Sequence, residues 1–416
     1  MISNVILHIG SKGLSFISIF YQVLTKQLFL IEITTFYLYI FYKNQGGQGH
    51  FMSKYKLKRL FILLLLPLTY LFVFLAKSNP EKVESIYSQG FYAVVSSAIN
   101  TITSFFDFSL AEIVIFILIF CAIGFIFYSI LKIWRSKKED KPFSIYTFLV
   151  NSLIIVTVMS FSFNIMCGFN YYRQPFTEQI NLQVNDATPE ELYLLAQDLS
   201  AHANGYRELV KLDENGVMIL SDTTENTLDT ARKAMNSLSK DYPILSGMYF
   251  QPKPVKFSKT MSRMGITGVF FPFTYESNIN VHSPAVKQPH TMVHELSHLR
   301  GFMKEEEANF IAYLACMSSD SNDFKYSGTI VALDYALGAL AKNDKARYDE
   351  IKATLSPGVL SDLQNNNDYW YSFQGAVNTV SNSINDTYLK ANNQKSGVSS
   401  YGAMVNLLVA YRTQSV

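Results

Sequence analysis

The stretch HELSHLRGFMKEEEANF, residues 294–310, gathers the residue types that could carry chemistry. His294 and His298 are four positions apart, so on a helix they differ by about 40° and share one face. Two imidazoles so placed can both reach one Zn2+, and Glu295 projects beside them toward a water on that metal. A third protein ligand is required, and Glu305, Glu306 and Glu307 follow at once. Gly301 lets the chain leave the first helix and turn. A second helix is expected from near Glu305 to about Met317. Glu305, Ala308, Asn309, Ala312 and Cys316 share one face of it; apart from Glu305 and Asn309 these are small and apolar, which allows a close approach to the first helix. Glu307 lies about 200° from Glu305, with Phe310, Ile311 and Leu314. Geometry therefore favours Glu305 as third ligand, with Glu307 as the alternative. Asn309, one turn later, can hydrogen-bond the back of a ligating imidazole.

The elements around this stretch read as follows. Thr188, Pro189 and Glu191 supply an N-cap, a proline at the first helical position and a capping-box glutamate, so a helix starts there. Another helix is expected over 224–240, stopping at Tyr242-Pro243. Residues 254–283 switch to short strand-like runs, GVFFPF (268–273) and NINV (278–281). From about 288 to the end the pattern is nearly all helical, with breaks expected near Gly328, Pro357 and Gly397. Helices, a small sheet and further helices make an α+β domain over residues 173–416.

The preceding part of the chain is different. Of 416 residues 49% are hydrophobic and only 16% charged, which points to membrane content rather than to a disordered or disulfide-stapled protein. Residues 1–170 hold 14 Lys/Arg against 7 Asp/Glu, and residues 171–416 hold 21 against 26. An acidic second part with no basic stripe excludes nucleic acid as the expected partner. Charge-free apolar runs at 60–76, 113–131 and 142–172 are the expected spans of a membrane domain covering 52–172. A weaker apolar segment at 13–42 is interrupted by Lys26 and Glu32. Met52 precedes SKYKLKR and would serve as a start, which makes residues 1–51 an expected upstream extension. Basic clusters at Lys54–Arg59 and Lys132–Lys141 are both cytoplasmic only if everything after about residue 172 lies outside the cytoplasm. The spans carry almost no ionisable residues and are expected to anchor the chain in the lipid bilayer. Cys121, Cys167 and Cys316 form no metal or redox spacing and read as packing residues.

His294-Glu295-x-x-His298 followed by Glu305, Ala308 and Asn309 resembles the gluzincin metallopeptidases, whose second motif is E-x-x-A-N or E-x-x-A-D. The resemblance implies Zn2+ as cofactor, Glu305 as third ligand and Glu295 as general base in the hydrolysis of a peptide or protein substrate. It also implies a zincin-like fold in which an edge strand pairs with an extended substrate. GVFFPF fits that strand, with Phe271, Pro272 and Phe273 as substrate-binding candidates. Tyr275, Tyr388 and Tyr401 are candidate oxyanion donors. Only six residues separate His298 from Glu305, fewer than in most gluzincins. From about residue 55 to 413 the chain also resembles a bacterial membrane-protein family described only as a domain of unknown function. Its marks here are Pro272-Phe273-Thr274, Glu276, Asn278 and Asn280, then H-E-x-x-H-x-x-G, E-x-E-A-N-F, and a late segment at Tyr388–Asn392 and Gly397–Gly402. The expectation is a membrane-anchored zinc metallopeptidase, its extracytoplasmic domain mostly helical with a small β-sheet. The alternative is a catalytically silent sensor or binding protein that keeps the zincin fold.

Overall fold

The computed structural model describes residues 59–392 and 401–414. Residues 1–51, the weak apolar segment at 13–42 and the break expected at Gly397 lie outside the described residues. The chain divides into two compact units, Met1–Asn79 with Phe116–Phe169, and Pro80–Ile115 with Asn170–Val416.

Among the described residues, three helices are long and apolar enough to cross a membrane: α1 (Arg59–Ser78), α3 (Leu110–Arg135) and α4 (Lys141–Met166). The 26 residues of α3 and α4 each give about 39 Å of helix, more than the ~30 Å of a hydrocarbon core. Phe116, Ile119, Phe120, Ile123, Phe127, Leu149, Ile155 and Val156 are exposed on them. Such a continuous apolar exterior suits lipid rather than water. The third helix ends at Met166, short of the expected 172, and a 3-10 turn follows at Gly168–Tyr172.

The second unit contains a helix that hydropathy does not announce. Residues 80–103 form α2, α-helical at Pro80–Lys82 and Ala93–Thr103 with a π-helical stretch at Val83–Tyr92 between. Compactness thus places 80–115 with 170–416, where a hydropathy boundary at 172 assigns it to the membrane half. The reason is polar. The Glu84 carboxylate accepts from both Nε (2.8 Å) and Nη2 (2.6 Å) of Arg173, and Ser88 donates to Asn170 Oδ1 at 2.7 Å. Glu84 and Arg173 are both buried, so each needs the other.

Helix α5 (Pro189–Arg207) starts at the full capping box, Thr188 Oγ1 accepting from Glu191 N while Glu191 accepts from Thr188 N. Helix α6 (Thr224–Asp241) is capped by Thr223. The sheet has three strands, β1 (Lys253–Pro254), β2 (Gly268–Phe271) and β3 (Glu276–Ile279), with α7 (Ser258–Met264) between the first two. Spatial order is β1-β3-β2, with β1 parallel and β2 antiparallel to β3, Phe271 opposite Glu276. Pro272 ends β2, as its missing N–H requires, and a turn over 272–275 leads into β3.

Helices α8 (Gln288–Leu299), α9 (Glu305–Met317) and α10 (Asn322–Asn343) follow, then α11 (Lys345–Thr354), α12 (Pro357–Ser372), α13 (Ala376–Ala391) and α14 (Tyr401–Gln414). Helix α8 is buried on nearly all sides, packed on β2, β3, α6, α9 and α10. Gly328 breaks nothing: α10 runs through it, and a Cβ there would stand 2.5 Å from Cys316 Cβ. The glycine serves a close helix approach, and the chain breaks earlier, between Met317 and Asn322.

Candidate metal centre

Helix α8 carries His294, Glu295 and His298, and ends because Gly301 adopts φ 83°, a left-handed conformation that suits glycine. Four residues later α9 starts with Glu305, whose carboxylate faces both imidazoles. His294 Nε2 lies 3.3 Å from Glu305 Oε2, and His298 Nε2 lies 3.7 Å from Glu305 Oε1. One donor atom from each of the three residues falls within 4.8 Å of the others, and among the described residues this is the group arranged so. Donor atoms around a tetrahedral zinc stand about 3.4 Å apart, so the spacing fits a small divalent ion.

The surroundings hold the imidazoles in place. His298 Nδ1 is 2.7 Å from Phe302 O, which turns Nε2 toward Glu305. Asn309 lies beside His294 and favours its charged form, although His294 Nδ1 has no well-formed hydrogen bond; Asn309 Nδ2 donates to Tyr335 Oη at 3.0 Å. Glu307 goes elsewhere. It is buried, accepts from Phe176 N at 3.3 Å and pairs with Lys304 Nζ at 3.4 Å. The structure thus brings Glu305 to the histidines and turns Glu307 into the packing around Phe176.

Glu295 sits under β2. It is buried, its Oε2 has no partner, and a Cβ on Gly268 would stand 2.6 Å from its Oε1. Burial pushes its carboxyl up to about 8, with His294 and a Phe270 backbone hydrogen bond opposing and Glu305 adding. Burial also works against Glu305, but the hydrogen bond from His294 and the charges of His298 and His294 hold it down at about 2. For His294 burial lowers and Glu305 raises, and the net shift is upward; His298 is lowered by burial to about 4. Without metal these shifts favour a proton on His294, facing the Glu305 carboxylate, and a proton on Glu295. Metal binding would displace the His294 proton.

Strand β2 is an outer strand of the sheet, and Phe271, Pro272 and Phe273 stand half-buried at its end, the two phenyl rings 5.5 Å apart. The tyrosine candidates do not gather here as a set. Tyr275 is fully buried against Tyr92 and Phe270, Tyr388 Oη meets Tyr171 Oη at 2.9 Å, and the side chain of Tyr401 lies outside the described residues. His290 is buried on α8 one turn before His294, and burial lowers it to about 3.

Several residues that hold the centre are not evident from sequence. Tyr92 Oη donates to His298 O at 3.2 Å and Leu299 O at 3.3 Å, and Asn100 Nδ2 donates to Tyr275 O at 2.7 Å. Glu276 accepts from Ala111 N at 2.7 Å and Leu110 N at 3.2 Å at the start of α3, while Ser109 donates to Asn278 Oδ1 at 2.6 Å. Asn280 Nδ2 bonds Ser262 Oγ and Ile266 O. The Glu276, Asn278 and Asn280 series therefore clamps the sheet to neighbouring elements.

A family model described as "Protein of unknown function (DUF3810)" matches residues 87–409. The chain belongs to the DUF3810 family. The match runs from within the π-helical stretch of α2 into α14, so the whole candidate centre of this DUF3810 chain lies inside it. No curated protein and no solved structure matches the chain.

Proposed function

We propose that this DUF3810 protein is a membrane-anchored zinc-dependent metallopeptidase that hydrolyses peptide or peptide-like amide bonds outside the cytoplasm. The observation that carries the reading is the convergence of His294, His298 and Glu305 within 4.8 Å beside the buried, unpartnered Glu295 Oε2. His294, His298 and Glu305 would hold the ion. When bound, zinc supplies a Lewis acid and lowers the pKa of water to about 7. Glu295 takes a proton from the attacking water at its free oxygen and returns it to the leaving amine. The backbone of β2 aligns an extended substrate along the outer edge of the sheet, with Phe271 and Phe273 at its end.

The topology has support of its own. By the positive-inside rule, the segment between α1 and α3 and everything after α4 lie on one side, opposite Lys132–Lys141. Those are the two segments that fold together in the second unit.

The test uses the full chain purified in detergent. Metal analysis is expected to find about one zinc per chain, lost in Glu305→Ala and kept in Glu307→Ala. Glu295→Gln is expected to retain zinc and lose cleavage of a mixed peptide pool, by about 100-fold or more. A folded chain that takes up no zinc would sink the peptidase reading and leave the silent binding protein in its place.

A further inference from the structure

Behind the C-terminal end of α8 lies a cavity of about 170 Å³, lined among others by Ser88, Gln89, Tyr92, Arg173, Ser246 and Arg300. Its two arginines are in opposite states. Arg173 has its Nε and Nη2 edge filled by the Glu84 carboxylate, and its Nη1 donates to Arg300 O. Arg300 is only 8% exposed, yet its Nε and Nη2 are buried with no hydrogen-bond partner. Among the described residues no carboxylate pairs with it; its guanidinium merely lies 5.1 Å from the Tyr249 ring centre. The side chain is packed in place, since a Cβ on Gly247 would stand 1.8 Å from Arg300 Nη1.

A buried guanidinium without a counter-charge is a strongly unfavourable arrangement unless something else supplies the charge. The missing partner has a definite shape. Two oxygens of one carboxylate or phosphate group fit the planar fork of a guanidinium. Glu84 shows that geometry on Arg173 in the wall of the same cavity. No acidic residue lines the space, and its volume is several times the roughly 30 Å³ of a water molecule. We infer that this cavity binds a small oxyanion, a carboxylate or phosphate group, that supplies the missing counter-charge of the Arg300 guanidinium. The ligand ties α2, Arg173 and the end of the His294–His298 helix together from behind. The inference does not depend on the metal or on peptide hydrolysis.

The full chain in non-ionic detergent, with chelator present to empty the metal centre, is titrated with inorganic phosphate, glycerol 3-phosphate and acetate against chloride at equal ionic strength. At least one oxyanion is expected to raise the unfolding temperature saturably, by about 5 °C at a hundredfold excess over its Kd, and chloride is not. Response to phosphate alone identifies a free ion, to glycerol 3-phosphate an esterified headgroup-type phosphate, and to acetate a carboxylate. Arg300→Gln is expected to abolish the response. Ser246→Trp, at an exposed position on the cavity wall, blocks the space with Arg300 intact and is expected to do the same. No saturable response to any of the three, or one that survives Ser246→Trp, overturns the inference.

Discussion

At the scale of single residues the centre is built by exclusion as much as by contact. Gly268 has no side chain because Glu295 occupies that space, its Oε1, Cγ and Cδ all within 2.9 Å of where a Cβ would be. Gly268→Ala is therefore expected to push the Glu295 carboxylate aside. Zinc content should stay near wild type while any hydrolysis falls about 100-fold, a split that metal analysis and a cleavage assay on one preparation would read. The same carboxyl makes the metal-free protein sensitive to pH. Its pKa rises from an ordinary 4.5 to about 8 on folding, so between those values the folded chain holds a proton that the unfolded chain has lost. The associated stability is fully present below about pH 4.5, erodes as pH climbs, and is gone above about 8. Glu295→Gln is expected to flatten that decline, measured as unfolding temperature against pH with chelator present. His294, Glu295, His298 and Glu305 were legible in sequence because a four-residue spacing and a glycine-ended helix specify where their side chains go. His290 was not, because nothing in its immediate neighbours says that α9 and α10 cover it.

At the scale of elements, α8 and α9 follow from their own sequences, whereas α2 does not. Its inward side is Glu84, Ser88, Tyr92, Ser96 and Asn100, a largely polar row between two apolar runs, with no hydrophobic stripe to betray a helix. What it buries is hydrogen-bonding capacity for partners far along the chain. Glu84→Ala is expected to leave Arg173 charged and alone in the interior and to destabilise the second unit by roughly 3–5 kcal/mol, read from denaturant or thermal unfolding of the full chain. Glu276, Asn278 and Asn280 were equally opaque. Their alternation in a strand is visible, but Leu110, Ala111 and Ser109 lie over 160 residues away in sequence, and no local pattern links them.

For the whole molecule, the second unit is made from two stretches of chain separated by most of the apolar helices α3 and α4. A fragment of residues 173–416, which hydropathy alone would suggest as the soluble piece, lacks the Glu84 partner of Arg173 and the Tyr92 and Asn100 contacts. It is expected to show helical circular dichroism without a cooperative unfolding transition, where the full chain in detergent unfolds cooperatively. The way α2 reaches so many partners has a further consequence. Its contact row repeats every four residues, and on an α-helix each such step advances by about 40°, so five positions would wind about 160° around the axis. The wider turns of Val83–Tyr92, closed by bonds to the fifth residue along, drift in the opposite sense. Two pitches on one rod cancel like the scales of a vernier, and the row stays on one side from Glu84 to Asn100. One residue added or removed within the wide turns would leave a helix but break that cancellation, swinging Glu84 and Ser88 away while Tyr92 and Asn100 stayed put. In this segment the number of residues is thus as tightly specified as the identity of any side chain in the His294–His298–Glu305 cluster.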